Sequence, residues 1–202
     1  MDPLTTIAGV AVGPLAWYCL VMGMTPGPNN LMLAASGMNF GLRRTLPHMA
    51  GVFVGFGVLV FAAGLGIGTL YANAPWLQGL LRWVGAGFLA YLAWRIAGAA
   101  RAEHHADARP LAFVEAASFQ FVNPKGWIFA ITSATGFLSG GGLLGAIVLT
   151  SAALLMTVLS TTTWTLFGTV LAQLVRSERA HRVVSAAFAL ALLATVPMIL
   201  FD

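Results

Sequence analysis

The chain has 202 residues, of which 59% are hydrophobic and 8% charged, with a formal net charge of +4. A water-soluble domain carries about a quarter charged residues, and one core of this size cannot hide so much apolar surface, so a soluble fold is excluded and lipid is the expected solvent. Nucleic-acid binding is excluded as well, because the basic residues are dispersed between apolar stretches, where membrane topology accounts for them.

No Asp, Glu, Lys or Arg occurs from Pro3 to Leu42, Thr45 to Leu81, Gly126 to Val175 or Val183 to Phe201. A membrane-crossing helix takes roughly 20 mostly apolar residues. Backbone in lipid must satisfy its own hydrogen bonds, so helices are the expected element, and the alternation of a membrane barrel is absent. Met1-Asp2-Pro3 lacks a basic leader, so the first apolar stretch is expected to be a retained helix.

In chain order, the first predicted helix covers Ile7 to Asn39 and is interrupted at Thr25 to Pro28. The second covers Thr45 to Tyr71, and a short connection at Asn73 and Pro75 leads to the third, Trp76 to Gly98. Arg101 to Pro110 is a hydrophilic loop. The fourth covers Leu111 to Leu138 and is interrupted at Asn123-Pro124-Lys125. After the Gly140 to Gly142 turn come the fifth, Leu143 to Leu174, and the sixth, Val183 to Phe201. With six helices, eight of the ten basic residues fall in loops on one side. The positive-inside rule puts those loops in the cytoplasm and both termini outside.

The expected fold is therefore an all-α integral membrane protein forming one domain over 1–202, built as two three-helix repeats, about 1–100 and 111–202. Pro28 and Pro124 lie 96 residues apart, each in the first helix of its half. An odd number of helices per half inverts the second against the first. Interrupted helices at matching positions of inverted halves point to a transporter's binding site.

Proline in a helix removes a donor and clashes with a carbonyl one turn earlier. Pro26-Gly27-Pro28 should break the first helix outright, with Asn29 and Asn30 capping its restart. The restarted helix offers free N–H groups and the positive end of its dipole, a seat for a carboxylate. Asn123-Pro124 repeats the arrangement, with Pro124 in a first-turn position. Lys125 lies about 20 Å along the fourth helix, near the bilayer midplane. A lysine there costs at least about 2.5 kcal/mol, so it should face the interior and have a partner. That partner is either a substrate carboxylate or a carbonyl freed near Thr25. The candidate substrate-binding residues are thus Pro26, Gly27, Pro28, Asn29, Asn30, Asn123, Pro124 and Lys125. Glu115, toward the cytoplasmic end of the fourth helix, is a candidate proton or ammonium site at the inner mouth.

Other polar residues read more plainly. His48 can titrate near neutrality but is expected to be interfacial. Glu103, His104, His105 and Asp107 read as a solvated loop rather than a metal site. The Gly51, Gly55, Gly57, Gly64, Gly66 and Gly68 series reads as a packing face. The Ser160 to Thr163 hydroxyls either bond their own helix or line a polar cavity. Cys19, the single cysteine, excludes an internal disulfide. No nucleophile-elbow, phosphate-loop or metalloprotease motif is present, so no enzyme, cofactor or metal is expected.

Thr25-Pro-Gly-Pro-Asn-Asn-Leu31, followed by Asn39-Phe-Gly-Leu-Arg-Arg44, resembles the LysE/RhtB family of amino-acid exporters. Phe119-Gln-Phe-Val-Asn-Pro-Lys-Gly-Trp127 resembles that family's second signature. The resemblance implies secondary export of small amino acids or derivatives across the bacterial inner membrane, by exchange with protons. Many members carry an acidic residue where this chain has Asn29, which leaves Lys125 and Glu115 as candidates for proton coupling. A metal-cation exporter and a non-transporting membrane subunit are the alternatives. Substrate, protons and lipid are the expected partners, and the sequence leaves open whether the chain works alone or as a homodimer.

Overall fold

The structure is a computed structural model and describes residues 6–99, 109–139, 142–175 and 177–201. The elements are β1 (Thr6–Ile7), β2 (Val10–Ala11), α1 (Val12–Met24), α2 (Pro28–Gly64), α3 (Ile67–Ala72), α4 (Pro75–Ala99), α5 (Phe113–Val122), α6 (Pro124–Phe137), α7 (Leu143–Leu174) and α8 (Glu178–Phe201). The all-α expectation holds apart from the two short strands. Gly140 and Gly141, and the whole Glu103 to Asp107 cluster, lie outside the described residues.

Four boundaries differ from the sequence reading, each for a local reason. Residues 6–11 form a hairpin rather than helix, because Ala8 and Gly9 both take positive φ, 50° and 78°, and pair Ile7 with Val10. Positive φ at both central residues is the primed turn that matches strand twist. The hairpin is held by Ser139 N donating to Gly9 O (2.7 Å) and by a bridge from Val10 to Leu138.

The expected loop at Arg43 and Arg44 is instead a bend at Gly41 (φ 73°, ψ 170°) within α2. It divides α2 into a first arm, 28–40, and a second arm, 42–64. Ser36 Oγ and Thr45 Oγ1 are 3.0 Å apart across the bend, whereas nine residues of straight helix would span about 13 Å. The second arm stops at Gly64 rather than Tyr71, because Gly66 turns left-handed (φ 97°) before α3. The last helix starts at Glu178, five residues early, with Ser177 Oγ accepting from Ala180 N (3.1 Å) as a cap.

Close glycine contacts fix the helix directions. A Cβ on Gly51 would fall on the Phe113 carbonyl and one on Gly55 on the Ala117 carbonyl, so the second arm runs parallel to α5. Gly57 faces Leu154 and Gly64 faces Ala146, so the same arm runs against α7. The first arm crosses α7 where a Cβ on Gly168 would meet the Ala34 carbonyl. Gly85 of α4 lies against the Val122 carbonyl, and α4 also packs on α8. The glycines of the second arm are thus a packing face, as expected, whereas Gly66 and Gly68 lie beyond it.

Leu15, Leu59, Val60, Phe129 and Leu149 form a core at the hairpin end, and Val52, Leu89, Leu92, Phe119 and Leu192 form one at the other. Outside these cores the surface is apolar: Trp17, Trp76, Trp83, Trp94, Leu155 and Leu174 are each more than two-thirds exposed. Apolar cover on this scale marks a surface made for lipid. Pro28–Gly64, Leu143–Leu174 and Glu178–Leu200 are each long and apolar enough to cross a membrane, and α1 and α5 are shorter apolar helices.

Candidate functional site

Two breaks in the helical backbone meet near the middle of the structure. The first separates α1 from α2 at Thr25, Pro26 and Gly27, and the second separates α5 from α6 at Asn123. Pro28 and Pro124 are the first helical residues of α2 and α6, where a missing N–H costs nothing.

Each break leaves carbonyls at the end of one helix and N–H groups at the start of the next. At the first break the carbonyls are met by side chains. Asn30 Nδ2 donates to Gly23 O (2.8 Å) and Thr25 O (2.9 Å). Ser160 Oγ, from α7, also donates to Gly23 O (2.7 Å). Lys125 Nζ reaches across from the second break to Thr25 O at 2.7 Å, 100 residues away in sequence. The ammonium thus sits at the negative end of the α1 dipole, which favours a cation.

The exchange runs both ways. Asn29, in the first turn of α2, forms a two-bond amide pair with Gln120 of α5: Asn29 Nδ2 to Gln120 Oε1 at 2.7 Å, and Gln120 Nε2 to Asn29 Oδ1 at 3.1 Å. Gln120 also donates to Ala116 O (2.9 Å) and is fully buried. Lys125 and Asn29 therefore stitch the two breaks together.

A cavity of about 80 Å³ lies between the breaks, several times the 10–15 Å³ that admits one water. Gly27, Asn29, Asn30, Asn123 and Lys125 line it, together with Ser160, Thr157 and Thr161. Its apolar wall comprises Cys19, Met22, Phe56, Phe129 and Met156, among others. Among the described residues, Lys125 is the one charged residue in the lining, and no carboxylate lines the cavity. An ammonium has three donors, and one of them is engaged by Thr25. Asn123, 3% exposed, lines the cavity, and its Oδ1 is buried in the wall with no hydrogen-bond partner. The cavity thus offers a cation, with an unpartnered acceptor in the wall close by, groups that complement a zwitterion's two ends.

The structure brings together five of the sequence candidates, namely Gly27, Asn29, Asn30, Asn123 and Lys125. Pro26, Pro28 and Pro124 shape the breaks without lining the cavity. Two details differ from expectation. Asn29 and Asn30 do not cap the restart of α2, whose N-cap is Gly27; Asn30 instead ties off the end of α1. Asn123 is the N-cap of α6 yet makes no side-chain cap bond, and its Oδ1 stays buried and unpartnered. The hydroxyl run splits: Ser160, Thr161 and the neighbouring Thr157 line the cavity, and Thr157 Oγ1 also bonds its own helix at Ala153 O (2.8 Å).

Glu115 lies away from the cavity. It accepts two hydrogen bonds from Arg109 (2.7 and 2.9 Å) and one from Ala112 N (2.6 Å), with Arg95 at 3.6 Å. The Glu115 carboxylate raises Arg109 above its ordinary value, through these hydrogen bonds first and through its charge second. His48, expected at the interface, is 1% exposed, so it faces the helix bundle rather than the surrounding solvent.

Gln120 and Gly23 were missed as site residues from sequence, whereas Ser160 was among the hydroxyls expected either to bond their own helix or to line a cavity. The one signal for Gln120 was its place within the Phe119 to Trp127 motif, three residues ahead of Asn123.

The family model LysE type translocator matches residues 20–201. The chain is 34% identical over 122 residues to the cysteine/O-acetylserine efflux protein of Salmonella typhimurium (strain LT2). It is likewise 34% identical over 122 residues to the protein of that name in Escherichia coli (strain K12). Each match spans 60% of this chain and 62% of the relative. No solved structure matches.

Proposed function

The chain belongs to the LysE type translocator family, a family of transporters and not of enzymes, and from that premise we propose that it is a secondary exporter of small neutral amino acids. The observation that carries the proposal is Lys125 Nζ on Thr25 O, which puts a cation between two helix breaks in a cavity lined by no carboxylate among the described residues. A substrate carboxylate takes the donors left on Lys125, and charge-assisted bonds of this kind are the strong ones. The substrate ammonium takes Asn123 Oδ1. The substrate side chain lies against Cys19, Met22, Phe56, Phe129 and Met156, a wall of thiol, thioether and ring atoms. Such a wall favours a small, uncharged, polarisable side chain and disfavours a second charge. The names of the two relatives make cysteine and O-acetylserine the first substrates to test.

In the membrane, α1 with the first arm of α2, the second arm, α4, α5 with α6, α7, and α8 are six crossings in two inverted sets of three. The parallel and antiparallel registers support this arrangement. So do Arg43, Arg44, Arg95, Arg109, Arg179 and Arg182, which flank the same ends of those six segments. That face is cytoplasmic by the positive-inside rule, and both termini are outside. Export proceeds by alternating access around the paired breaks, driven by protons moving inward, in the bacterial inner membrane. The Lys125 cation opposes the alternative reading as a metal-cation exporter.

The test is counterflow in proteoliposomes with a panel of amino acids. Cysteine, O-acetylserine and similarly small neutral amino acids should exchange, while lysine and glutamate should not. Failure of every amino acid to exchange overturns the proposal and favours a non-transporting subunit.

A further inference from the structure

Among the described residues, His48 is the one buried titratable ring that the cavity does not use. It is 1% exposed, and neither ring nitrogen has a hydrogen-bond partner among those residues. A buried polar group without a partner is destabilising, and an aromatic hydrocarbon ring would fill the same space without that cost. Retention of an imidazole here asks for a second state in which it is paired.

Its position supplies the partner. His48, Gly51, Val52 and Gly55 share one face of the second arm of α2. Gly51 lies against Phe113 in a parallel register, so His48, about one turn earlier, faces the residues just before α5. There Glu115 folds back to accept from Ala112 N at 2.6 Å, which brings its carboxylate to that level. Among the described residues, the charged groups at this level of the neighbouring helices are Glu115 of α5 and Arg95 of α4, 3.6 Å apart. Arg109 lies behind Glu115, on its far oxygens. On α2 itself Arg43 and Arg44 are exposed on the bend, and α7 carries no ionisable side chain along its length. In the other direction Val52, one turn on from His48, lines the cavity. His48 thus stands between the substrate cavity and a carboxylate held in check by two arginines.

We propose that His48 is the site at which this exporter binds and releases its driving proton. The inference rests on the transport reading above and adds the coupling residue to it. In the present arrangement the ring is unpaired and Glu115 is committed to its arginines. One proton added to the ring makes an imidazolium, whose two N–H groups need acceptors, and Glu115 is the acceptor at hand. Drawing Glu115 toward His48 loosens Arg109 and Arg95 at the charged end of the bundle. Loss of the proton to the cytoplasm restores the pairing seen here. One proton is bound and one released per cycle, and no bond other than N–H is made or broken.

The test uses the full-length protein in proteoliposomes with L-cysteine under reducing agent, in two modes. The first is exchange of labelled against unlabelled cysteine at equal pH, and the second is uptake driven by an acid interior. His48→Gln and His48→Phe should exchange cysteine like the wild type and lose gradient-driven accumulation, because without differential proton binding the gradient has nothing to act on. His48→Phe forfeits no hydrogen bond seen in the structure, so it decides the matter if the glutamine variant does not reach the membrane. Gradient-driven accumulation at the wild-type level in either variant overturns the proposal. A wild type that exchanges cysteine but ignores the gradient overturns it too, whereas a wild type that does not exchange cysteine at all refutes the substrate reading instead.

Discussion

Gly27 offers the sharpest lever on the site, because it touches Lys125 without sharing its chemistry. Its φ of −170° is extended backbone, which alanine adopts freely, so Gly27→Ala carries no conformational penalty. The new Cβ would lie 2.9 Å from Lys125 Cδ and 3.1 Å from Nζ. Because the obstacle is the end of a flexible side chain, the fold survives and the lysine yields. The ammonium then leaves its 2.7 Å bond to Thr25 O. A charge-assisted hydrogen bond is worth about 1.5–3 kcal/mol, so transport kcat/KM should fall by roughly 12- to 160-fold. The assay is initial-rate cysteine exchange in proteoliposomes with matched protein content. The decisive version is a double-mutant cycle with Lys125→Ala read as melting temperature in detergent, in which the Gly27→Ala shift should vanish because no lysine remains to be displaced. Penalties that simply add would refute the claim that Gly27 acts through Lys125.

Asn123→Leu removes a buried oxygen with no partner and forfeits no cap bond. Melting in detergent should show unchanged or raised stability, while the KM for cysteine rises by about tenfold. Asn29→Leu strands the buried Gln120 Oε1. It should cost about 1–3 kcal/mol, read as a fall of about 2–4 °C in Tm for each kcal/mol. Gly168→Ala would put a methyl on the Ala34 carbonyl and should lower the amount of folded protein in membranes, whereas Gly87→Ala, with open space around it, should be neutral.

The helix breaks were legible in the sequence because proline and glycine act through local sterics: Pro26-Gly27-Pro28 and Asn123-Pro124 interrupt helices whatever surrounds them. Lys125 was legible because an ammonium in hydrocarbon must find a partner, and Thr25 O was already one of the two options. What sequence did not show depends on distant chain. Gln120 finds Asn29 across 91 residues and Ser160 finds Gly23 across 137, and neither partner can be read from its own helix. The burial of His48 follows from the bend at Gly41, which turns an apparent loop into a tight corner and drives the next turn of helix into the bundle. The hairpin at Ala8-Gly9 was hidden because six apolar and small residues beside a long apolar run read as its continuation.

The central claim is that the lysine held between the two breaks binds the substrate carboxylate. Its most direct test is substrate counterflow by Lys125→Ala in proteoliposomes, with incorporation of the protein checked in the same preparation. The account predicts normal incorporation and no exchange; undiminished exchange by that variant would contradict it.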